Sequence, residues 1–243
     1  MPASRARPTP LGAALRALVA PALCAAAQAA HLAHGPWPWV ATVLLGLLLW
    51  AGTAGDTSLR TPCFVAAGAL MLALALNAVP GLAPWRLAVS SLNLSKAIAG
   101  LSAMAMLPSP WRWTRACTAV AAATLLAVPA LAWHIGHVHW APVTLSTLAG
   151  FALRNAVSTV AEEWFFRCWV QQPLQRFSRV AAVLGSAALF GLVHLAGGPV
   201  FAGLAGLAGL GYAAVFALSG SVWAAVALHL ALNVLRVMLF GLP

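Results

Sequence analysis

The sequence predicts an all-α protein, a polytopic bundle of about eight or nine transmembrane helices, and three observations carry that prediction. Of 243 residues, 63% are hydrophobic and only 7% are charged, with mean hydropathy +0.93. The apolar residues fall in runs approaching the roughly 20 needed to cross a bilayer as a helix. Arginines stand singly or in pairs between these runs instead of alternating with them. A soluble domain carries roughly 25% charged residues. A chain this poor in charge must therefore turn its outer surface to lipid.

With Pro, Gly and Arg as punctuation, the first five runs lie near Leu11–Ala33, Trp37–Ala51, Pro62–Val79, Pro84–Leu107 and Thr114–Ile135. The others lie near Val143–Leu174, Arg179–Ala196, Val200–Leu218 and Ser221–Leu239. The first follows Arg5 and Arg7 and has the look of a secretory leader, with Ala25–Ala27 as its cleavage site. Its apolar run is longer than usual for such a leader, so it reads as a retained span. The second is short and is expected to be tilted, re-entrant or merged with a neighbour. Trp37, Trp39, Trp85, Trp111, Trp113 and Trp140 fall at run ends, as an interfacial aromatic belt places them. No tandem repeat or long linker divides the chain. The expected organisation is 1–142, N-terminal transmembrane helices without an assigned role, and 143–243, a helical core holding the chemistry-bearing residues.

Lys and Arg number 13 against 3 Asp and Glu, a formal charge of +10. Clustered on one face, that excess would suggest nucleic acid; spaced between apolar runs, it is the pattern of cytoplasmic loop anchors. With the N-terminus in the cytoplasm, Arg5, Arg7, Arg60, Arg112, Arg115, Arg176 and Arg179 fall inside and only Arg86 outside. The predicted C-terminus is then external. Cys24, Cys63, Cys117 and Cys168 are far apart, without C-x-x-C or zinc spacing. They read as small buried hydrophobes.

Ionisable groups within a membrane cost some 2.5–3.5 kcal/mol even on lenient scales, so their positions are informative. Of the three carboxylates, Asp56 falls in a loop, whereas Glu162 and Glu163 adjoin in an apolar helix. Glu163 and Arg167 are four apart, share a face and can pair. Glu162 points about 100° away and is placed for general-base work. A purely structural ion cluster is the alternative. His194 lies deep in an apolar run, and His229 and Asn233 share a helix face. His31, His34, His134, His137 and His139 lie at run ends and read as interfacial. At about 1.5 Å of rise per residue, Glu162, His194 and His229 can reach one level of the bundle. Arg236 lies on the His229 face and either snorkels outward or receives an acidic substrate group.

The order Glu162-Glu163-x-x-x-Arg167, Phe190-x-x-x-His194, His229-x-x-x-Asn233 resembles the CAAX protease and bacteriocin-processing (CPBP, or Abi) family. Gly211-Tyr212 and Ser219-Gly220-Ser221-Val222-Trp223 resemble the approach to its third motif. The resemblance runs from Val143 to Leu239 and does not extend to the first five segments. It implies an intramembrane endopeptidase of the bacterial inner membrane, cutting a membrane-anchored or membrane-spanning protein near its C-terminus. On this analogy Glu162 activates water with help from His194, while His229 and Asn233 orient that water or donate to the oxyanion. Glu163, Arg167 and Phe190 would support them. The family leaves metal open. Glu162, His194 and His229 are the set that would hold zinc, but no His-Glu-x-x-His is present and Asn233 is a poor zinc ligand, so no cofactor is the expectation. A single aspartate argues against an aspartyl protease, and Ser219-Gly220-Ser221 lacks the rhomboid form. Adjacent Ser95 and Lys96 do not share a helix face, which argues against a Ser-Lys dyad. The rival reading is a proton-coupled transporter or assembly scaffold using the same buried Glu, His and Arg.

Overall fold

The computed structural model describes residues 9–54, 57–82, 85–87 and 90–242. The expectations placed on Arg5, Arg7 and Asp56, and on the side chains of Trp85 and Arg86, lie outside the described residues. The chain forms two compact units, Met1–Pro108 and Ser109–Pro243.

In the first unit α1 (Pro10–Ala17) and α2 (Val19–Ala29) follow one another through a turn at Leu18. Thr9 caps α1 by accepting from Gly12 N, and Pro10 takes the first turn, where no donor is lost. α3 (Trp37–Ala54) lies so close to α1 that a Cβ on Gly46 would meet Ala17 O at 2.5 Å. α4 (Thr57–Ala75) packs on α3. A two-stranded hairpin, β1 (Trp85–Leu87) and β2 (Ser90–Leu92), precedes α5 (Leu94–Met106).

Two expectations are corrected here. The second run is a full helix of 18 residues, not a short or re-entrant one. Thr53 Oγ1 donates to Leu49 O at 2.7 Å, so its hydroxyl is satisfied within the helix instead of ending it. The fourth run, Pro84–Leu107, is not one span. Asn93 Oδ1 accepts from Lys96 N at 2.9 Å and starts a helix of only 13 residues, behind a hairpin. Asn at such a position competes for backbone donors and favours a cap over a helix interior.

The second unit begins with α6 (Arg115–His134) and α7 (Leu145–Trp164). The long expected run Val143–Leu174 keeps its helical course but widens into a π-helix at Phe165–Gln171, ending in the short α8 (Gln172–Leu174). α9 (Arg179–Val193), a 3₁₀ turn (Leu195–Gly197), α10 (Pro199–Ser219) and α11 (Val222–Phe240) complete it. Thr144, Ser178 and Ser221 cap α7, α9 and α11 through their hydroxyls. Gly220, at φ 66°, closes α10, donating its N–H to Phe216 O at 2.8 Å. α9 and α10 approach closely: a Cβ on Gly191 would meet Ala202 O at 2.8 Å, the small-residue contact by which apolar helices pack in lipid.

The structural division falls at Pro108/Ser109, not at the expected 142/143. Residues 109–142 are bound to the following helices. Val222 N donates to Ser109 Oγ at 2.9 Å, Ser221 Oγ to Pro110 O at 2.7 Å, and Ala141 N to Leu239 O at 3.1 Å. On α6, Thr124 fills the space that a side chain at Gly211 of α10 would need.

Among the described residues six stretches are long and apolar enough to span a bilayer: Pro10–Ala29, Trp37–Ala54, Ser58–Ala75, Arg115–His134, Pro199–Ser219 and Val222–Phe240. α5 and α9 are apolar but shorter, and the 20-residue α7 carries Arg154, Glu162 and Glu163. The chain is a multi-pass helical membrane protein. Trp111 and Trp113 stack at 6.0 Å in the loop before α6, and Trp37 and Trp140 are exposed at helix ends.

Candidate active site

The Glu-Glu-x-x-x-Arg sequence sits where α7 becomes a π-helix, a transition frequent at functional sites. Glu163 and Arg167 are wholly buried, and Arg167 Nε donates to Glu163 Oε2 at 2.8 Å. Arg167 Nη1 donates to Gln171 Oε1 at 2.5 Å and to Ser186 Oγ of α9 at 3.1 Å. Gln171 Nε2 in turn donates to Ala213 O of α10 at 2.8 Å. Arg167 and Gln171 together thereby tie α9 and α10 to the end of α7.

Glu163 has a second partner in His229. Its Oε1 lies 2.8 Å from His229 Nδ1. A carboxylate only accepts, so Nδ1 carries the proton and Nε2 is the free ring position. Nε2 lies 4.0 Å from Glu162 Oε2. Tyr212 stacks on the imidazole at 4.4 Å and 14°, and Phe190 meets its edge at 5.5 Å. His229 is thus fixed in tautomer by Glu163 and in plane by Tyr212. The two glutamates have different surroundings: the side chain of Glu162 is 16% exposed, that of Glu163 0%. Only Glu162 lines the cavity.

That cavity, of about 290 Å³, lies within the second unit and is also lined by His194, His229 and Asn233. Asn233 Nδ2 donates to Asn155 Oδ1 at 2.9 Å, and Thr159 Oγ1 donates to the same oxygen at 3.2 Å. His194 stands apart from the carboxylates. Its Nδ1 is 2.7 Å from Phe190 O, and the Phe190 ring, 4.7 Å from the His194 ring, also contacts His229. A carbonyl accepts, so His194 Nδ1 donates and Nε2 is left as its acceptor.

All seven residues singled out in the sequence therefore lie close together: Glu162, Phe190, His194, His229 and Asn233 line the cavity, and the wholly buried Glu163 and Arg167 join them through His229. Three were not singled out. Asn155 and Thr159 precede Glu162 by seven and three residues, a polar stripe on one face of α7 that helical spacing makes visible. Tyr212 gave no signal beyond its place before the third motif. His137, expected to be interfacial, also lines the cavity and stacks on Phe201 at 6.3 Å. Val138 beside it clusters with Ala132, Leu204 and Phe240, contacts that a position in sequence does not reveal.

Among the described residues no three His, Cys, Asp or Glu gather as a metal site. Of the zinc set drawn from the sequence, His194 is directed to its own helix carbonyl and His229 is separated from Glu162 by 4.0 Å.

The fold and site define a class: a multi-pass helical membrane protein with an acid–histidine pair facing a cavity inside the bundle. Residues 144–235 match the family described as Rce1-like, type II CAAX prenyl endopeptidase, which is the resemblance carried by the three motifs. No curated protein and no solved structure matches the chain.

Proposed function

We propose that the second unit is the catalytic unit of a glutamate-dependent intramembrane endopeptidase, acting near the C-terminus of a membrane-anchored or membrane-spanning protein. The observation that carries the proposal is the facing pair, Glu162 Oε2 and His229 Nε2, 4.0 Å apart on the cavity wall. A gap of that width between two acceptors is the place for a bridging water.

Glu162 takes a proton from that water as its oxygen attacks the scissile carbonyl carbon. His229 Nε2 accepts the water's other hydrogen bond and holds its lone pair toward the carbonyl. The ring needs no reorientation, because Glu163 and Tyr212 already hold it. His194 Nε2 is a further acceptor for the entering substrate or water. One N–H of Asn233 is engaged by Asn155, and the other serves the tetrahedral oxyanion. Such a preorganised donor is commonly worth about 10²–10³ in rate. The intermediate collapses with cleavage of the C–N bond, and Glu162 returns its proton to the leaving nitrogen. No metal or other cofactor enters these steps.

The bilayer is the working environment, with a bacterial inner membrane and a cytoplasmic N-terminus as the proposed setting. Arg112, Arg115, Arg176 and Arg179 then lie on the cytoplasmic side. The test is cleavage of a panel of lipid-anchored peptides by the purified full chain, with Glu162→Gln and a zinc chelator as separate arms. Cleavage by wild type that persists in chelator and disappears in Glu162→Gln is expected. Cleavage abolished by chelator would return Glu162, His194 and His229 to a metal role. Cleavage unchanged in Glu162→Gln would sink the assignment and favour a transporter or scaffold.

A further inference from the structure

Gln171 ends the π-helix and is wholly buried, yet no step of the proposed reaction uses it. A buried side-chain amide is costly unless its polar ends are bonded. Both ends are: Oε1 accepts from Arg167 Nη1 at 2.5 Å, and Nε2 donates to Ala213 O of α10 at 2.8 Å. Ala213 directly follows Tyr212, the residue stacked on His229. A closed circuit results. It runs from Glu163 to Arg167, to Gln171, to the α10 backbone beside Tyr212, across the stacked rings to His229, and back to Glu163.

The π-helix has a part in this. In an α-helix of 3.6 residues per turn, four residues overshoot a full turn by about 40°. From Glu163 to Gln171 a continued α-helix would carry the amide about 80° away from the face of Glu163. The wider π turn, with its i→i+5 bonds, takes up that drift and keeps Gln171 in line with the pair.

His229 therefore has two separate supports. Glu163 fixes the tautomer directly, through Nδ1. Tyr212 fixes the ring plane, at 14°, and its own position depends on the rotation of α10. Ring packing is only weakly directional, whereas a hydrogen bond weakens steeply as its angle opens. A change in the imidazole plane moves Nε2, the atom that faces Glu162 across 4.0 Å.

We propose that Gln171 is a positioning residue for the reaction: by pinning the α10 backbone at Ala213 to Arg167, it holds Tyr212 flat on His229 and keeps Nε2 aimed at Glu162. This rests on the endopeptidase reading, and a spectroscopic readout separates the two.

Tyr212 is the only tyrosine in the chain, so labelling with meta-fluorotyrosine gives fluorine NMR signal from this ring alone. The experiment uses the purified full chain in phosphatidylcholine nanodiscs, with cleavage of palmitoylated peptides measured on the same samples and scaled to the folded fraction. Gln171→Met keeps the length without either bond, and the milder Gln171→Asn keeps the amide but is too short to reach both partners. Thr144→Ala, which removes the cap of α7 and leaves the circuit intact, controls for general destabilisation. Both Gln171 variants are expected to shift the Tyr212 resonance toward its unfolded position, and Thr144→Ala to leave it unmoved. In Gln171→Met kcat should fall about tenfold with KM little changed. Adding Tyr212→Leu to Gln171→Met should cost no more than Tyr212→Leu alone, because the two act through one ring. An unmoved resonance in the folded Gln171 variants, or additive losses of kcat in the double variant, overturns the proposal. A moved resonance without cleavage in any sample would keep Gln171 as the residue that seats Tyr212 and remove the endopeptidase. Cleavage with an unmoved resonance would do the reverse.

Discussion

Replacing Glu163 by Gln keeps the side-chain shape and removes one charge, so its effect isolates the electrostatics of the buried cluster. In the wild type Arg167 Nε and His229 Nδ1 each donate to this carboxylate at 2.8 Å, with Glu163 and Arg167 both 0% exposed. The neutral amide leaves the guanidinium with uncharged acceptors only, its own oxygen and those of Gln171 and Ser186. Arg167 Nη2 already has no hydrogen-bond partner among the described residues, so little slack remains. Removing one member of a buried pair costs about 3–5 kcal/mol, because the other charge stays behind. Replacing both by apolar side chains of similar volume costs far less. The expected pattern is therefore a loss of about 3–5 kcal/mol in Glu163→Gln, a similar loss in Arg167→Met, and a double variant, Glu163→Leu with Arg167→Met, well above either.

The assay is reversible unfolding of the full chain in mixed micelles, followed by tryptophan fluorescence. Additive losses in the double variant, or a cost below about 1 kcal/mol in either single one, would refute the argument, since both outcomes describe a solvated pair. Activity is a second readout. Glu163→Gln presents an amide that can donate as well as accept, so the His229 tautomer is no longer fixed. Cleavage should fall by more than the unfolded fraction accounts for.

The remaining predictions concern the cavity wall and the helix crossing. Asn155→Ala removes the acceptor that orients Asn233 and is expected to lower kcat about tenfold with KM little changed, about 1.4 kcal/mol of transition-state stabilisation. Asn155→Asp, which keeps the acceptor, should recover most of it, and equal losses in the two variants would argue against a positioning role. Gly191→Val should destabilise by about 1–3 kcal/mol through overpacking, because its Cβ would lie 2.8 Å from Ala202 O. Gly206→Ala, whose Cβ finds its nearest neighbour at 3.7 Å, should be tolerated. Unfolding midpoints of the two variants check the contrast.

The parts of this site legible in the sequence were those fixed by helix periodicity and by the cost of charge in lipid. Glu163 and Arg167 had to share a face, and Glu162 had to turn from it, whatever the rest of the chain did. The same arithmetic brought Glu162 and His229 to one depth, and the structure places them 4.0 Å apart. Contacts between helices distant in sequence were not legible. That Glu163, not Glu162, holds His229 depends on the rotation of α11 against α7, and the stacking of Tyr212 depends on where α10 crosses. Composition alone also misjudged the run Pro84–Leu107, where a hydropathy sum passes over the Asn93 cap that local hydrogen bonding obeys. The division at Pro108 was hidden for a related reason: α6 is as apolar as the helices before it, and only Thr124 against Gly211 and the Ser109 and Pro110 bonds to the start of α11 assign it to the site. The consequence for function is direct. α6 contributes Val128, Pro129 and Ala132 to the cavity wall, so the cavity is built from the whole of the unit Ser109–Pro243. A fragment starting at residue 143 would lose that side of the cavity while keeping every motif residue.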